Sequence, residues 1–312
     1  MFGLLTDIPD IRCPKCGCAD HMKNGHTGIG TQRYMCKECG NTYCNIEGGL
    51  IIRNTKLDNS KWMAFAECFI DGLSCKRTAE KIRVTPRTAW FMRVRTLEAL
   101  QKNLPSFEVK ADSGADIDEI FFPESFKGIS FKNLGRMPRE PRREGHGTRT
   151  RGISNEQICV VTGINDNGDM FYDVACRGRL DRMTAMRTLE SRISDGAMIN
   201  TDRHNAYPEV LFKLGTAFHN AYSSSDHKSL ERINDLHSSI RGFMRKFKGV
   251  STKWLHCYLA WFKWLREFGR SGAVMEDIAA GQIRSGDYEH LWKNIDRMPL
   301  PFRDMDLKAV KN

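Results

Sequence analysis

The chain has 312 residues, 40% of them hydrophobic, and its 48 Lys and Arg outnumber 38 Asp and Glu to give a formal net charge of +10. That length accommodates two or three units, one with a substantial core, and the positive charge favours a polyanionic partner such as nucleic acid. No apolar run approaches the ~18 residues of a spanning helix and the start lacks a signal peptide's pattern, so a membrane protein is excluded and a cytoplasmic, nucleoid-associated location is expected.

Residues 10–46 read as a zinc ribbon. Cys13-Pro-Lys-Cys16 and Cys36-Lys-Glu-Cys39 are separated by nineteen residues, a spacing that lets two knuckles close one tetrahedral four-thiolate site. A unit this small has little core, and structural zinc supplies roughly 10–16 kcal/mol of apparent binding energy toward its folding. Redox or disulfide pairing is the other reading of Cys-x-x-Cys, and Cys18, His21 and Cys44 are close enough in sequence to act as substitute ligands. Gly17 and Gly40, just past each pair, suit tight knuckle turns. Eleven cysteines without an export signal fit a reducing compartment, with Cys68, Cys159, Cys176 and Cys257 as small buried hydrophobes.

Residues 57–102 read as a helix-turn-helix unit. Trp62, Phe65, Ala66 and Phe69 recur at helical spacing in 61–71, Ser74 caps a helix through Lys81, and Thr85-Pro86 starts a third helix. Arg87, Thr88, Arg93 and Arg95 give this third helix the look of a recognition helix on a scaffold of Trp90, Val94 and Leu97; a DNA-independent three-helix packing unit has the same stripe. A linker over 103–114 follows.

From residue 115 the apolar period changes to two. Ala115–Phe122 alternates as a strand and places Asp116 and Asp118 on one face. Residues 123–152 form a basic insertion with Lys127, Lys132, Arg136, Arg139, Arg142, Arg143, Arg149 and Arg151 among Gly and Pro, suited to phosphates or to solvent. Two strands at 157–163 and 170–175 flank the turn Asn165-Asp-Asn-Gly168, followed by a helix (181–194), a strand (197–201), a helix (204–214), a strand (216–218) and a long helix (228–247). This order predicts an α/β domain over 112–268, a mixed sheet with helices on both faces. Asp118 in the first strand and Asp202 at the end of the fourth are candidates for a shared cluster of two divalent ions, although an Asp at a strand end is as often a cap.

On the long helix Asn234, His237 and Arg241 stand at i, i+3 and i+7, one face, opposite Leu230, Ile233, Ile240, Phe243 and Met244. Such a line is catalytic or a row of structural hydrogen-bonders. Residues 253–268 repeat Trp254, Leu255, Tyr258, Leu259, Phe262 and Leu265 as a core helix, with Trp261 and Trp264 as alternative base-stacking residues. The tail 271–312 carries no functional signal.

Taken together, Asp118-Glu-Ile-Phe-Phe, Arg151-Gly-Ile-Ser154, Thr201-Asp202 with Tyr207, Ile233-Asn-Asp-Leu-His-Ser238 with Arg241, and Gly249-Val-Ser-Thr-Lys-Trp-Leu255 before Tyr258-Leu-Ala-Trp-Phe262 resemble bacterial insertion-sequence transposases of the DDE superfamily, in the zinc-ribbon group with an Asp-Asp-Asn catalytic set. The likeness spans roughly residues 10–268. It implies a ribonuclease-H-like fold, structural Zn²⁺, catalytic Mg²⁺ or Mn²⁺ held by Asp118, Asp202 and Asn234, and His237 or Arg241 orienting phosphate. Arg241 stands where the family often has Lys; its planar fork keeps phosphate contact with altered geometry. A neutral Asn234 forgoes Coulomb attraction on the order of 4 kcal/mol per charge pair at an effective dielectric near 20, so Glu231, one turn earlier, is the alternative ligand. The implied activity is binding of terminal inverted repeats on double-stranded DNA, phosphodiester cleavage and strand transfer, by a homo-oligomer assembled on DNA. The alternatives are a catalytically inactive DNA-binding regulator of the same descent, or a ribonuclease-H-like nuclease without repeat specificity.

Overall fold

The computed structural model describes residues 12–13, 15–26, 32–44, 57–101, 104–128, 152–223 and 230–268. Arg136, Arg139, Arg142 and Arg143, the Cys44 side chain and the tail 271–312 lie outside them. Contacts divide the described residues into two compact units, one drawn from residues 12–104 with 264–268 and one from residues 105–263.

The first unit begins with β1 (His21–His26), β2 (Gln32–Cys36) and β3 (Thr42–Cys44), an antiparallel sheet in that order. Each cysteine pair closes a knuckle. Gly17 N–H donates to Cys13 O at 2.8 Å and Gly40 N–H to Cys36 O at 3.0 Å, and both glycines adopt positive φ, +76° and +67°, where a Cβ would be strained. Helices α1 (Asn59–Ile70), α2 (Cys75–Ile82) and α3 (Pro86–Gln101) follow. The second and third start where the sequence predicts, whereas the first begins at Asn59, two residues before the expected Lys61, because Asp58 caps it. Asp58, Ser74 and Thr85 accept hydrogen bonds from the amides of Lys61, Arg77 and Thr88 at 2.9, 3.3 and 3.1 Å, and Pro86 occupies the first turn of α3. Trp62, Phe65, Phe69, Met92, Leu97 and Leu100 are buried. Trp264, at the end of the last described helix, is buried too, its ring centroid 6.3 Å from that of Phe69.

The second unit is a five-stranded mixed sheet of β4 (Gly114–Pro123), β5 (Gln157–Asn165), β6 (Met170–Arg177), β7 (Met198–Asp202) and β8 (Phe218–Tyr222) in the order β6-β5-β4-β7-β8. β4 pairs antiparallel with β5 and β5 with β6, whereas β7 runs parallel to β4 and to β8. Counted within the unit, 3-2-1-4-5 with the second strand reversed is the ribonuclease-H-like arrangement. The predicted hairpin turn closes β5 to β6: Asn165 Oδ1 accepts from the amides of Asn167 and Asp169 at 3.1 and 2.9 Å. The last strand begins at Phe218, not Thr216. Residues 214–216 finish the preceding helix, with Leu214, Gly215 and Thr216 amides bonded back to Val210, Phe212 and Leu211.

Helices α4 (Arg182–Leu189) and α5 (Tyr207–Lys213) cover one face of the sheet, packing Ala185, Leu189, Tyr207, Val210 and Leu211 against Ala115, Ile117, Cys159 and Val161. α6 (Glu231–Arg245) meets β4 and β5 over the other face, that of Asp116, Asp118 and Thr162, through Arg232 and His237. α7 (Leu255–Phe268) is the core helix expected. Trp261 is fully buried, edge-on to Phe243 with centroids 5.4 Å apart, so neither Trp261 nor Trp264 offers a ring to a base. Among the described residues, no helix is long and apolar enough to cross a membrane.

Candidate metal centres

Cys13, Cys16, Cys36 and Cys39 bring their four sulfurs within 4.8 Å of one another, with Cys13–Cys39 and Cys16–Cys36 separations of 3.5 Å. Thiolates about 2.3 Å from a central ion in a tetrahedron stand about 3.8 Å apart, so the set could hold zinc. Burial raises the Cys13 thiol, but the amides of Cys16 and Lys15 and the neighbouring sulfurs outweigh it and bring it down to about 6; a thiolate is already favoured at one corner. Cys18 and His21 are engaged elsewhere. The Cys18 sulfur accepts from the Asp20 amide at 3.3 Å, and His21 Nδ1 lies 2.7 Å from Ala19 O.

The second centre lies where β7 ends. The β4–β7 pairing stops at Ile117 opposite Thr201, so beyond that point the β7-side edge of β4 is unpaired by β7. Asp118, from the α6 face, and Glu119, from the α5 face, then converge with Asp202, whose strand has just finished. One oxygen from each of the three carboxylates lies within 4.8 Å of the others. Burial and neighbouring carboxylate charge raise two of the three. Burial, then the charges of Glu119 and Asp202, push Asp118 up to about 7, and burial pushes Glu119 up to about 7 despite the hydroxyl of Tyr207. An all-oxygen, anionic donor set suits Mg²⁺ or Mn²⁺ and would be relieved by either.

Each acid is held by a neighbour. Asp118 Oδ1 accepts from the Glu119 amide at 2.8 Å, Asp202 Oδ1 from the His204 amide at 2.9 Å, and Glu119 Oε1 from the hydroxyl of the fully buried Tyr207. On the α6 side His237 is 3% exposed, its Nε2 is 2.7 Å from Thr162 Oγ1 and its Nδ1 is 3.7 Å from Asp118 Oδ2. Burial, with the Arg241 charge nearby, lowers this imidazole to about 4. Asn234, Arg241 and Glu231 are exposed on α6, and Glu231 is not part of the acidic cluster.

Asp116, on the same strand face as Asp118, is 2% exposed and fully engaged: Arg232 donates to both its oxygens and Asn200 Nδ2 to Oδ1, all at 2.9 Å. In the helical unit Arg87 is exposed. Arg93, expected on the outer face of the third helix, is instead 4% exposed and donates to Leu73 O, while Arg95 is 3% exposed with its guanidinium 5.8 Å from the Trp62 ring. Both are enclosed in the bundle although, two residues apart, they point to nearly opposite sides of the helix: α3 is buried all round over 92–97. Neither Glu119 nor Arg232 stands out as a site residue in the sequence. Glu119 carries the weak signal of an acid adjacent to Asp118; its convergence depends on where β7 stops, which sequence alone leaves undefined.

No protein-family model matches the chain. It is 26% identical over 271 residues, 83% of this chain and 86% of the relative, to an uncharacterized protein in transposable element ISH50 of Halobacterium salinarum. Among solved structures it is similar to a pre-cleavage Mos1 transpososome (8% identity, TM-score 0.24) and to the Mos1 strand transfer complex (11% identity, TM-score 0.22), each over 75% of this chain and 82% of that one. Likeness at that level adds nothing to the fold, which rests on the strand order.

Proposed function

We propose that this protein is the transposase of an insertion sequence, a DNA-cutting and DNA-joining enzyme. The observation that carries this reading is the convergence of Asp118, Glu119 and Asp202 at the ends of two adjacent parallel strands, their ligand oxygens within 4.8 Å. The relative's place in a transposable element supports it. Asp118, Glu119 and Asp202 would hold divalent metal, with Asn234 reaching in from α6. Metal bound there supplies Lewis-acid polarisation of a phosphodiester and a nucleophile at neutral pH.

The chain's own groups bind and orient. Arg241, exposed one turn beyond His237, would contact phosphate by its fork. Asp118 and Asp202, anchored by backbone amides, fix the acids so that little reorganisation accompanies reaction. Water attacks a phosphodiester at the element's end and frees a 3′ hydroxyl; that hydroxyl then attacks target DNA at the same site. We assign the zinc ribbon (10–46) and the helix-turn-helix (57–102) to recognition of terminal inverted repeats on double-stranded DNA, with Arg87 at the start of α3 and Arg136, Arg139, Arg142 and Arg143 of the insertion on phosphates. Two ends must be joined to one target, so the working form is a homo-oligomer on DNA.

The reading is tested on the genome and then in solution. DNA flanking the gene should carry short inverted repeats bounded by a target duplication, and the purified protein should protect those repeats from nuclease. Equal protection of unrelated DNA would argue for a nuclease without repeat specificity.

A further inference from the structure

We infer that His237 is a metal ligand, through Nδ1, for an ion that it shares with Asp118. This rests on the divalent-metal reading of the acidic cluster and adds to it a nitrogen donor from α6. The tautomer follows from one hydroxyl hydrogen. Thr162 Oγ1 lies 3.0 Å from the carbonyl oxygen of Asp118, which has no hydrogen to give, so the threonine must donate there. Its oxygen is then the acceptor in the 2.7 Å contact with His237 Nε2, and the imidazole carries its hydrogen on Nε2. Nδ1 is left to face Asp118 Oδ2 at 3.7 Å, beyond hydrogen-bond range, and has no other hydrogen-bond partner among the described residues.

A ring that is 3% exposed thus aims an unpaired nitrogen at a carboxylate oxygen. Two donors with ligand bonds of about 2.1 Å stand about 3.0 Å apart at right angles on one ion and about 4.2 Å apart when opposite; the observed 3.7 Å falls inside that interval. Thr162 fixing the distal N–H is the arrangement by which metal-bound histidines are oriented, the outer partner here being a hydroxyl already locked to the strand. His237 is not in the group formed by Asp118, Glu119 and Asp202. The inferred ion is therefore a second one, with Asp118 common to both. Asn234, one turn earlier on α6, is placed on the helix face of His237 for the same ion. An imidazole nitrogen in an otherwise oxygen shell shifts preference from Mg²⁺ toward softer divalent ions, and Mn²⁺ is the useful probe.

The test uses the full zinc-loaded chain without DNA, so that metal binding is read apart from cutting. Mn²⁺ is titrated into wild type, His237→Gln and Asp202→Asn while electron paramagnetic resonance follows free and bound metal, and pulsed measurements on ¹⁵N-histidine-labelled protein look for nitrogen coupling to manganese. Expected is Mn²⁺ coupled to a histidine nitrogen in wild type and in Asp202→Asn. In His237→Gln that coupling is gone and one binding step is weakened about 10- to 100-fold. Thr162→Ala, which keeps the ligand and removes its orienting partner, should weaken the same step about tenfold. Manganese bound through Asp118 and Asp202 with no nitrogen coupling to His237 overturns the histidine ligand and leaves the acidic centre standing. No Mn²⁺ binding beyond that of Asp118→Asn overturns both.

Discussion

Arg232 on α6 donates from Nε and Nη2 to the two oxygens of Asp116 on β4, both at 2.9 Å. This pair sets the register between helix and strand. Five residues on, His237 reaches Asp118, two residues further along the strand. At about 1.5 Å per helical residue and about 3.4 Å per strand residue, the two steps are nearly equal, about 7.5 and 6.8 Å. A structural clamp therefore positions the helix that carries Asn234, His237 and Arg241.

Removing the clamp should cost stability and function together. Arg232→Ala leaves Asp116, 2% exposed, with only Asn200 as partner. Because the arginine is itself 41% exposed, the expected loss is roughly 2–4 kcal/mol, less than for a fully buried pair. Denaturant unfolding checks it; a change below about 0.5 kcal/mol would mean that α6 keeps its register without the pair.

Tyr207→Phe should keep the fold and loosen the acidic cluster. The ring stays in the core of α4 and α5, while Glu119 loses the hydroxyl that orients it. Mn²⁺ affinity should fall about tenfold, as for other outer-shell partners of ligands, with stability reduced by about 1–2 kcal/mol. Isothermal titration gives the first and thermal unfolding the second.

The acids give a pH signature in metal-free protein. Asp118 and Glu119, both raised to about 7, hold protons in the folded state between pH 4 and 7 that the unfolded chain has released. Stability contributed by these groups therefore falls as pH rises through that window. His237, lowered to about 4, acts in the opposite sense below pH 6.5, since only the unfolded chain then takes up its proton. Comparison with Asp118→Asn isolates the carboxylate: the wild-type curve should decline more steeply from pH 4 to 7, by roughly 2–3 kcal/mol. Mg²⁺ added at pH 7 should recover the difference in wild type only.

Zinc and the exchangeable metal should separate by function. A strong chelator, or Cys36→Ser, removes the roughly 10–16 kcal/mol by which a four-thiolate site folds its ribbon, and repeat-specific binding measured by fluorescence anisotropy should be lost. Withholding Mg²⁺ should leave that binding intact. One zinc per chain by atomic absorption is expected.

Local order is plain in the sequence where a single residue decides it. Ser74, Thr85-Pro86, Gly17 and Gly40 each act on their own backbone, and the period-two stretch Ala115–Phe122 can hardly be other than a strand. Asp118 and Asp202 are legible as acids at strand positions. Glu119 is not, because alternation assigns it to the opposite face from Asp118, and only the termination of β7 at Asp202 lets the two meet. Arg93 and Arg95 show the converse. Basic residues on a helix invite a nucleic-acid reading, yet α3 is enclosed on all sides over 92–97, and that packing between helices is a tertiary fact with no local mark.

The most direct measurement is DNA cleavage by the purified full-length protein, given DNA bearing the inverted repeats that flank its gene and Mg²⁺ or Mn²⁺. Cuts at the repeat ends followed by joining to a target are expected. Asp118→Ala and Asp202→Ala should each reduce both steps by roughly 10³-fold or more while leaving repeat binding unchanged. Repeat binding without cleavage, or cleavage that survives Asp118→Ala, would contradict an active centre built on these acids.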